Sequence, residues 1–211
     1  MSQRAQPLRR GDLLADPHAQ FLIWFAAAQE AGVLTPEAMA IATATADGVP
    51  SLRMVLLKSA DDRGYAFFTN HEGRKGGELD ANPRAALLFH WEELGRQLRI
   101  EGTVERLPAE EADVYFRTRP LGSRVGARVS PQSRPIPSRR WLQDLIDVEA
   151  ARLGDDPPRP EHWGGYLVRP MAYQYWQHRD DRLHDVFRYT PAAPGSDADE
   201  GAGWRIERLG P

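Results

Sequence analysis

Apolar and polar positions change period several times along the chain, and the changes divide it into segments. Over residues 17–33, PHAQFLIWFAAAQEAGV, Phe21, Trp24, Phe25 and Ala28 recur at helical spacing behind Asp16 and Pro17, a pair suited to an N-cap and first turn. The pattern predicts an amphipathic helix that Gly32 ends. From 38 to 70 the period shortens to β-branched and apolar runs cut by Asp47-Gly48 and Asp62-Arg63-Gly64, hairpin signals that predict three strands in a meander. GRKGGELDANP predicts a short helix stopped by Asn82-Pro83, and RAALLFHWEELGRQLRIEGTVERL two more strands joined near 92–95. PAEEADVYFRTRP opens a helix on Pro108 with acids in its first turn. It must end near Pro120, because the residue before a proline avoids the helical region. A loop rich in Pro, Ser and Arg follows, then an amphipathic helix over 138–153 and the linker DDPPRP. WGGYLVRPMAYQYWQ, VFRYTP and GWRIERL read as closing strands. DDRLHDVFRY, 180–189, reads as a strand that sets Arg182, His184 and Val186 on one face. PAAPGSDADEGAG is the one low-complexity stretch and reads as a mobile acidic hairpin loop over 193–203.

Strands dominate and the helices lie between them, so the expected fold is mainly β with α additions: an antiparallel barrel with peripheral helices. The 211 residues, 41% of them hydrophobic, suffice for a substantial core. Net charge is −3 and the pI about 6.1, which argues against nucleic acid as a partner. Cysteine is absent, which excludes disulfides, thiolate metal sites and a Cys nucleophile. The six histidines form no i, i+3 or i, i+4 pair, so no metal site is expected. No stretch approaches the roughly 20 apolar residues a membrane helix needs, and the N-terminus lacks a signal-like apolar region. The expectation is a cytoplasmic protein. Neither GxGxxG nor GxxxxGK[ST] occurs, so a phosphate must be held some other way.

Basic residues beside turns carry the candidate chemistry. Arg53 and Lys58 bracket the apolar RMVLLK, read as a buried strand whose end charges need partners; five apart, they would sit on opposite faces. Gly73, Arg74 and Lys75 open a helix, where free backbone N–H groups already favour an anion. A solvated basic turn would look the same. Tyr115 and Arg119 stand at i, i+4 before Pro120, with Ser123 just beyond Gly122, a set suited to a second phosphate or to an ordinary surface pair. Gln97, the PQS at 131–133, and Trp176 near Arg182 and His184 complete the polar and aromatic candidates.

RMVLLK, FFTN with GRK, YFRTRP followed by SRVGARVSPQS, WGGY, YWQ followed by RLHD, and the closing WRIERLGP together resemble the pyridoxamine 5′-phosphate oxidase family, in order, from about Leu8 to the C-terminus. The resemblance implies one FMN-binding split β-barrel domain over 1–211: an arm over 1–16, the helix over 17–33, barrel strands over 38–107, a helical insertion over 108–153 and C-terminal strands over 163–211. It implies a homodimer with FMN at the interface and oxidation of pyridoxine or pyridoxamine 5′-phosphate to pyridoxal 5′-phosphate, dioxygen becoming hydrogen peroxide. Arg53, Met54, Val55, Leu56, Leu57, Lys58, Phe68, Thr69, Arg74, Lys75, Gln97, Gln132, Ser133 and Trp176 would bind FMN. Lys58, Tyr115, Arg119 and Ser123 would hold the substrate phosphate, with Arg182 and His184 over the substrate ring as catalytic residues. Three departures stand out: Val186 replaces a second Arg usual in RLHDR, Gly73 replaces a Ser before Arg-Lys, and the basic, aromatic segment often found upstream of PLRRGDLLADP is missing. Two other readings remain: an FMN oxidase of the phenazine-biosynthesis type, and a non-catalytic flavin or pyridoxal-phosphate binding protein.

Overall fold

The computed structural model describes residues 6–192 and 203–211; the acidic loop expected over 193–203 and the first five residues of the arm fall outside or at the edge of these. Among the described residues nine strands pair, all antiparallel. β1 (Ala38–Ala44) and β2 (Pro50–Leu56) make one hairpin, and β3 (Ser59–Asp61) and β4 (Gly64–Asn70) a second. Gly64, at φ +144, ends the second turn with its α-carbon so close to the Val168 backbone that an added Cβ would lie 2.1 Å from the Val168 carbonyl oxygen. β5 (Arg84–Trp91) and β6 (Arg96–Arg106) are joined through a 3-10 turn and Gly95, which is left-handed at φ 59. β7 (Trp163–Gln177) is the spine of the sheet. β6 runs along one of its edges, while the other pairs with β4 over Trp163–Val168 and with β8 (Asp185–Pro191) over Tyr173–Gln177; β9 (Trp204–Leu209) follows β8.

The sheet order β2-β1-β5-β6-β7-β4-β3, with β8 and β9 leaving β7, curls into the expected barrel. Its centre is filled by Met39, Ile41, Tyr65, Phe67, Leu87, Phe89, Leu98, Ile100, Val168 and Tyr175, each at most 1% exposed. α1 (Pro17–Glu30) covers this core with Phe21, Trp24 and Ala28, and the Asp16 side chain accepts from the backbone N–H groups of His18 and Ala19 at its start. α2 (Arg74–Ala81) follows β4, and α3 (Ala109–Thr118), α4 (Leu121–Val129) and α5 (Arg139–Leu153) stand between β6 and β7.

Four expectations are corrected. The meander fails at β4, which pairs with β7 and not with β2, because a strand buried on both faces needs a partner that local alternation cannot specify. RMVLLK is not a buried strand: Leu52 and Met54 of β2 are 69% and 64% exposed, and the strand stops at Leu56, so Lys58 lies on no strand face. The loop expected after Pro120 is helix α4, and Arg119 is extended at the α3 C-cap (ψ 146), so it shares no helical face with Tyr115. Arg182 and His184 belong to the 178–184 connection and not to a strand, since Arg182 takes a left-handed φ of 62 and β8 begins at Asp185.

Candidate active site

The N-terminus of α2 meets β2, β4 and the segment after α4, and there most of the candidate residues gather. Gly73 caps α2 without a side-chain hydrogen bond, so the first-turn N–H groups and the positive end of the dipole face outward. Lys75, 8% exposed, donates from Nζ to Thr69 Oγ1 (3.0 Å) and Gln132 Oε1 (2.8 Å). Both partners are neutral; burial, and secondly the charge of Arg53, pull the ammonium pKa down. Arg53 reaches from β2 to Thr43 Oγ1 (2.5 Å), to Ser51 Oγ and to Glu78 Oε2 (3.3 Å), and Arg74 donates from Nε to Glu78 Oε1 (2.8 Å). Glu78 is buried. Burial raises its carboxyl pKa, but the hydroxyls of Ser51 and Thr43 and the two guanidiniums outweigh this and hold it at about 2. Two guanidiniums on one carboxylate, with the Lys75 ammonium held by neutral partners at the same helix start, leave positive charge to spare, which suits a phosphate.

Beside this cluster opens a pocket of about 330 Å³ lined by Met54, Val55, Leu56, Lys58, Phe68, Thr69, Lys75, Tyr115, Arg119, Gln132 and Trp163. Phe68 stacks on Tyr115 (4.2 Å between centroids) and on Trp163 (5.5 Å), and Arg119 lies 4.5 Å over the Trp163 ring. Arg119 Nη1 is buried with no hydrogen-bond partner among the described residues. Burial lowers the pKa of this guanidinium, yet it stays charged at any ordinary pH. Lys58 Nζ stands 5.9 Å from the Tyr115 centroid. Leu57 instead turns into the core and Ser123 sits exposed in the first turn of α4, outside the pocket lining. Ser133, next to Gln132, is exposed and left-handed at φ 68.

The remaining candidates form a second cluster at the far end of β7. Gln97 pairs across the ladder with Trp176, and the His184 ring lies 4.5 Å from the indole and 5.3 Å from His178. The Arg179 backbone N–H donates to His184 Nδ1 (3.1 Å), so in the neutral ring the proton sits on Nε2, which is left to donate. Arg182 is exposed. Val186, 4% exposed, is apolar because it packs within the sheet, paired with Trp176 on one side and Leu209 on the other. Ser133 and Arg182, one from each cluster, are the non-glycine residues with positive φ among the described residues, a costly conformation that concentrates at functional sites.

Trp163, Glu78 and Asp185 were not singled out by sequence reasoning. The signal for Trp163 is the glycine pair after it: a Cβ on Gly165 would lie 2.8 Å from the Phe68 ring, so glycine lets the aromatic stack close. For Glu78 the signal is its i, i+4 spacing from Arg74.

A curled antiparallel barrel that sets cations and an aromatic stack around one cleft defines a binding fold suited to a flat, phosphorylated ligand. The comparisons make the class specific. Residues 25–152 match the family model described as pyridoxamine 5′-phosphate oxidase, and 163–211 that described as the pyridoxine 5′-phosphate oxidase C-terminal dimerisation region. The chain belongs to the pyridoxamine 5′-phosphate oxidase family. It is 52% identical over 206 residues to the pyridoxine/pyridoxamine 5′-phosphate oxidase of Salinibacter ruber (97% of this chain, 93% of the relative). It is 50% identical over 216 residues to that of Bordetella avium (100% and 99%). Among solved structures it is similar to PhzG from Burkholderia lata 383 in complex with tetrahydrophenazine-1-carboxylic acid (TM-score 0.88, 32% identity, 99% and 100% covered). A pyridoxamine 5′-phosphate oxidase-related, FMN binding protein from Nostoc punctiforme shares the fold (TM-score 0.71, 14% identity, 94% and 100% covered). Among the described residues, no helix is long and apolar enough to cross a membrane.

Proposed function

We propose that this protein oxidises pyridoxine or pyridoxamine 5′-phosphate to pyridoxal 5′-phosphate, with FMN as cofactor and dioxygen as the final acceptor. The observation that carries the reading is Arg119, a half-buried residue whose Nη1 is buried and unpartnered among the described residues, in the same pocket as Lys58 and Tyr115. Such a group is suited to a phosphate, which it can meet with a charge-assisted hydrogen bond. The α2 N-terminus, with Lys75, Arg53 and Arg74, is the better place for the cofactor phosphate, since its N–H groups add to the cations. FMN, when bound, supplies a two-electron acceptor that dioxygen restores. The chain contributes alignment: Lys58, Tyr115 and Arg119 would fix the substrate's phosphate end, His184 Nε2–H and Arg182 would meet its ring and 4′ substituent, and the charge of Arg182 would favour loss of the proton on the 4′ hydroxyl or amine.

The two clusters lie toward opposite ends of β7, which favours a ligand site shared between two chains over one within a single chain. Trp163 in the first and Trp176 in the second stand thirteen positions apart on β7, roughly 40 Å of extended strand before curvature. The reading therefore places FMN between two copies, the first cluster from one protomer and the second from its partner. The exposed Leu52, Met54 and Met171 supply apolar surface for such an interface.

The likeness to PhzG supports a second reading, an oxidase acting on a reduced phenazine carboxylate. The experiment is turnover of FMN-loaded protein with pyridoxine 5′-phosphate, pyridoxine and a dihydrophenazine carboxylate, following aldehyde and hydrogen peroxide. Equal aldehyde and peroxide from the phosphorylated vitamer alone supports the proposal. Peroxide from the phenazine alone selects the second reading.

A further inference from the structure

Asp185 begins β8 immediately after His184, and its carboxylate ties together three parts of the chain that are distant in sequence. Oδ2 accepts from the Leu8 backbone N–H (3.1 Å), and Oδ1 from Arg208 Nη1 of β9 (2.7 Å). Arg208 Nη2 then donates to the Leu8 carbonyl (3.3 Å), and the guanidinium lies 4.5 Å over the Phe187 ring. On the loop side, Arg179 Nε stands 3.9 Å from Oδ2, while the Arg179 backbone N–H holds His184 Nδ1. The carboxylate side chain is 12% exposed, so these bonds are largely shielded from water.

The loop needs an external anchor. Its seven residues, 178–184, carry Arg182 in a left-handed conformation that costs an arginine of order 1 kcal/mol or more, and its internal contacts are local ones: the Arg182 N–H to the Arg179 carbonyl (3.2 Å), the Leu183 N–H to Asp181 Oδ1 (2.9 Å), the Arg179 N–H to His184 Nδ1 (3.1 Å) and a partly exposed His178–Asp180 pair (3.3 Å). Left to itself such a loop would sample other conformations.

We propose that Asp185 is a positioning residue: with Arg208 and the Leu8 backbone it clasps the end of the loop, fixing the tautomer and orientation of His184 and the strained turn at Arg182. This rests on the proposed function insofar as Arg182 and His184 act on substrate. The clasp also makes the arm around Leu8 part of the active-site scaffold.

The test compares wild type with Asp185→Asn, which keeps the shape and an acceptor for Leu8 but removes the charge, and with Arg208→Gln and Arg208→Lys, whose half-exposed side chain can change without opening the core. Two readouts are taken: hydrogen exchange of the Arg179 amide, and kcat and KM with pyridoxine 5′-phosphate. Expected in Asp185→Asn are an Arg179 amide exchanging at least about tenfold faster and kcat/KM at least about tenfold lower, carried mainly by kcat. Arg208→Gln shows the same changes in smaller measure, and Arg208→Lys recovers part of them. If Asp185→Asn misfolds, the Arg208 pair decides alone. Unchanged exchange overturns the clasp; faster exchange with unchanged kcat overturns its catalytic role. If wild type does not turn over the substrate at all, the functional reading fails and exchange alone decides whether Asp185 holds the loop.

Discussion

Arg119 makes the clearest single-residue prediction. Its guanidinium is stacked on Trp163 and half-buried, with Nη1 buried and unpartnered among the described residues, so replacing it removes the charge-assisted hydrogen bond proposed to the substrate phosphate, worth about 1.5–3 kcal/mol. Arg119→Ala should lower kcat/KM for pyridoxine 5′-phosphate by roughly 10- to 100-fold, mostly through KM, while FMN affinity measured by flavin fluorescence stays within a factor of a few. An equal loss of FMN affinity would move Arg119 to the cofactor. Individual residues were legible in the sequence where a motif fixes their neighbours, as for Lys75 behind Gly73 and Arg74. Asp185 was not, and Glu78 only through its spacing from Arg74, because the rest of their hydrogen-bond partners include groups 23 to 177 positions away. Arg182, His184 and Val186 alternate like a strand, and only the backbone at Arg182 shows otherwise.

Helix α2 holds two adjacent glycines with opposite demands. A Cβ on Gly76 would lie 1.8 Å from the His71 carbonyl oxygen, a backbone atom that cannot step aside, whereas one on Gly77 meets nothing within 4 Å. Gly77→Ala should stabilise by about 0.5–1 kcal/mol through helix propensity. Gly76→Ala should destabilise by about 2 kcal/mol or more and weaken FMN binding, since the same helix carries Arg74 and Lys75. Denaturant unfolding of the two variants checks both signs. His71, which joins β4 to α2, adds a pH dependence. Burial, helped by the charge of Arg106, lowers its pKa from 6.5 to about 4, and its Nδ1 has no partner among the described residues. Between pH 6.5 and 4 the unfolded chain therefore binds the proton that the folded one refuses, so stability falls as pH falls through that window, by on the order of 2–3 kcal/mol. In His71→Gln the curve should be flatter there; an unchanged slope would assign the effect elsewhere. Most elements were legible from period and turn chemistry. Helix α4 was not: Leu121, Val125 and Val129 recur every fourth residue, but two glycines lie between them and only Val125 is buried, so the short stripe reads as a loop.

At the scale of the molecule, the long pairing of β7 with β4, β6 and β8 decides where chemistry can occur, and no local pattern announces it. The barrel and its helices were readable as a class from strand content; the separation of the candidate residues to opposite ends of one strand was not. That separation underlies the proposal that each site is the joint product of two chains. The direct test mixes two inactive variants under conditions of subunit exchange: one altered in the first cluster, Lys58→Ala with Arg119→Ala, the other in the second, Arg182→Ala with His184→Ala. In a mixed dimer one of the two shared sites receives an intact cluster from each chain, so an equal mixture should recover about a quarter of wild-type oxidation of pyridoxine 5′-phosphate. Mixed dimers that form and remain as inactive as either parent would contradict the account, because every site would then be built within one chain.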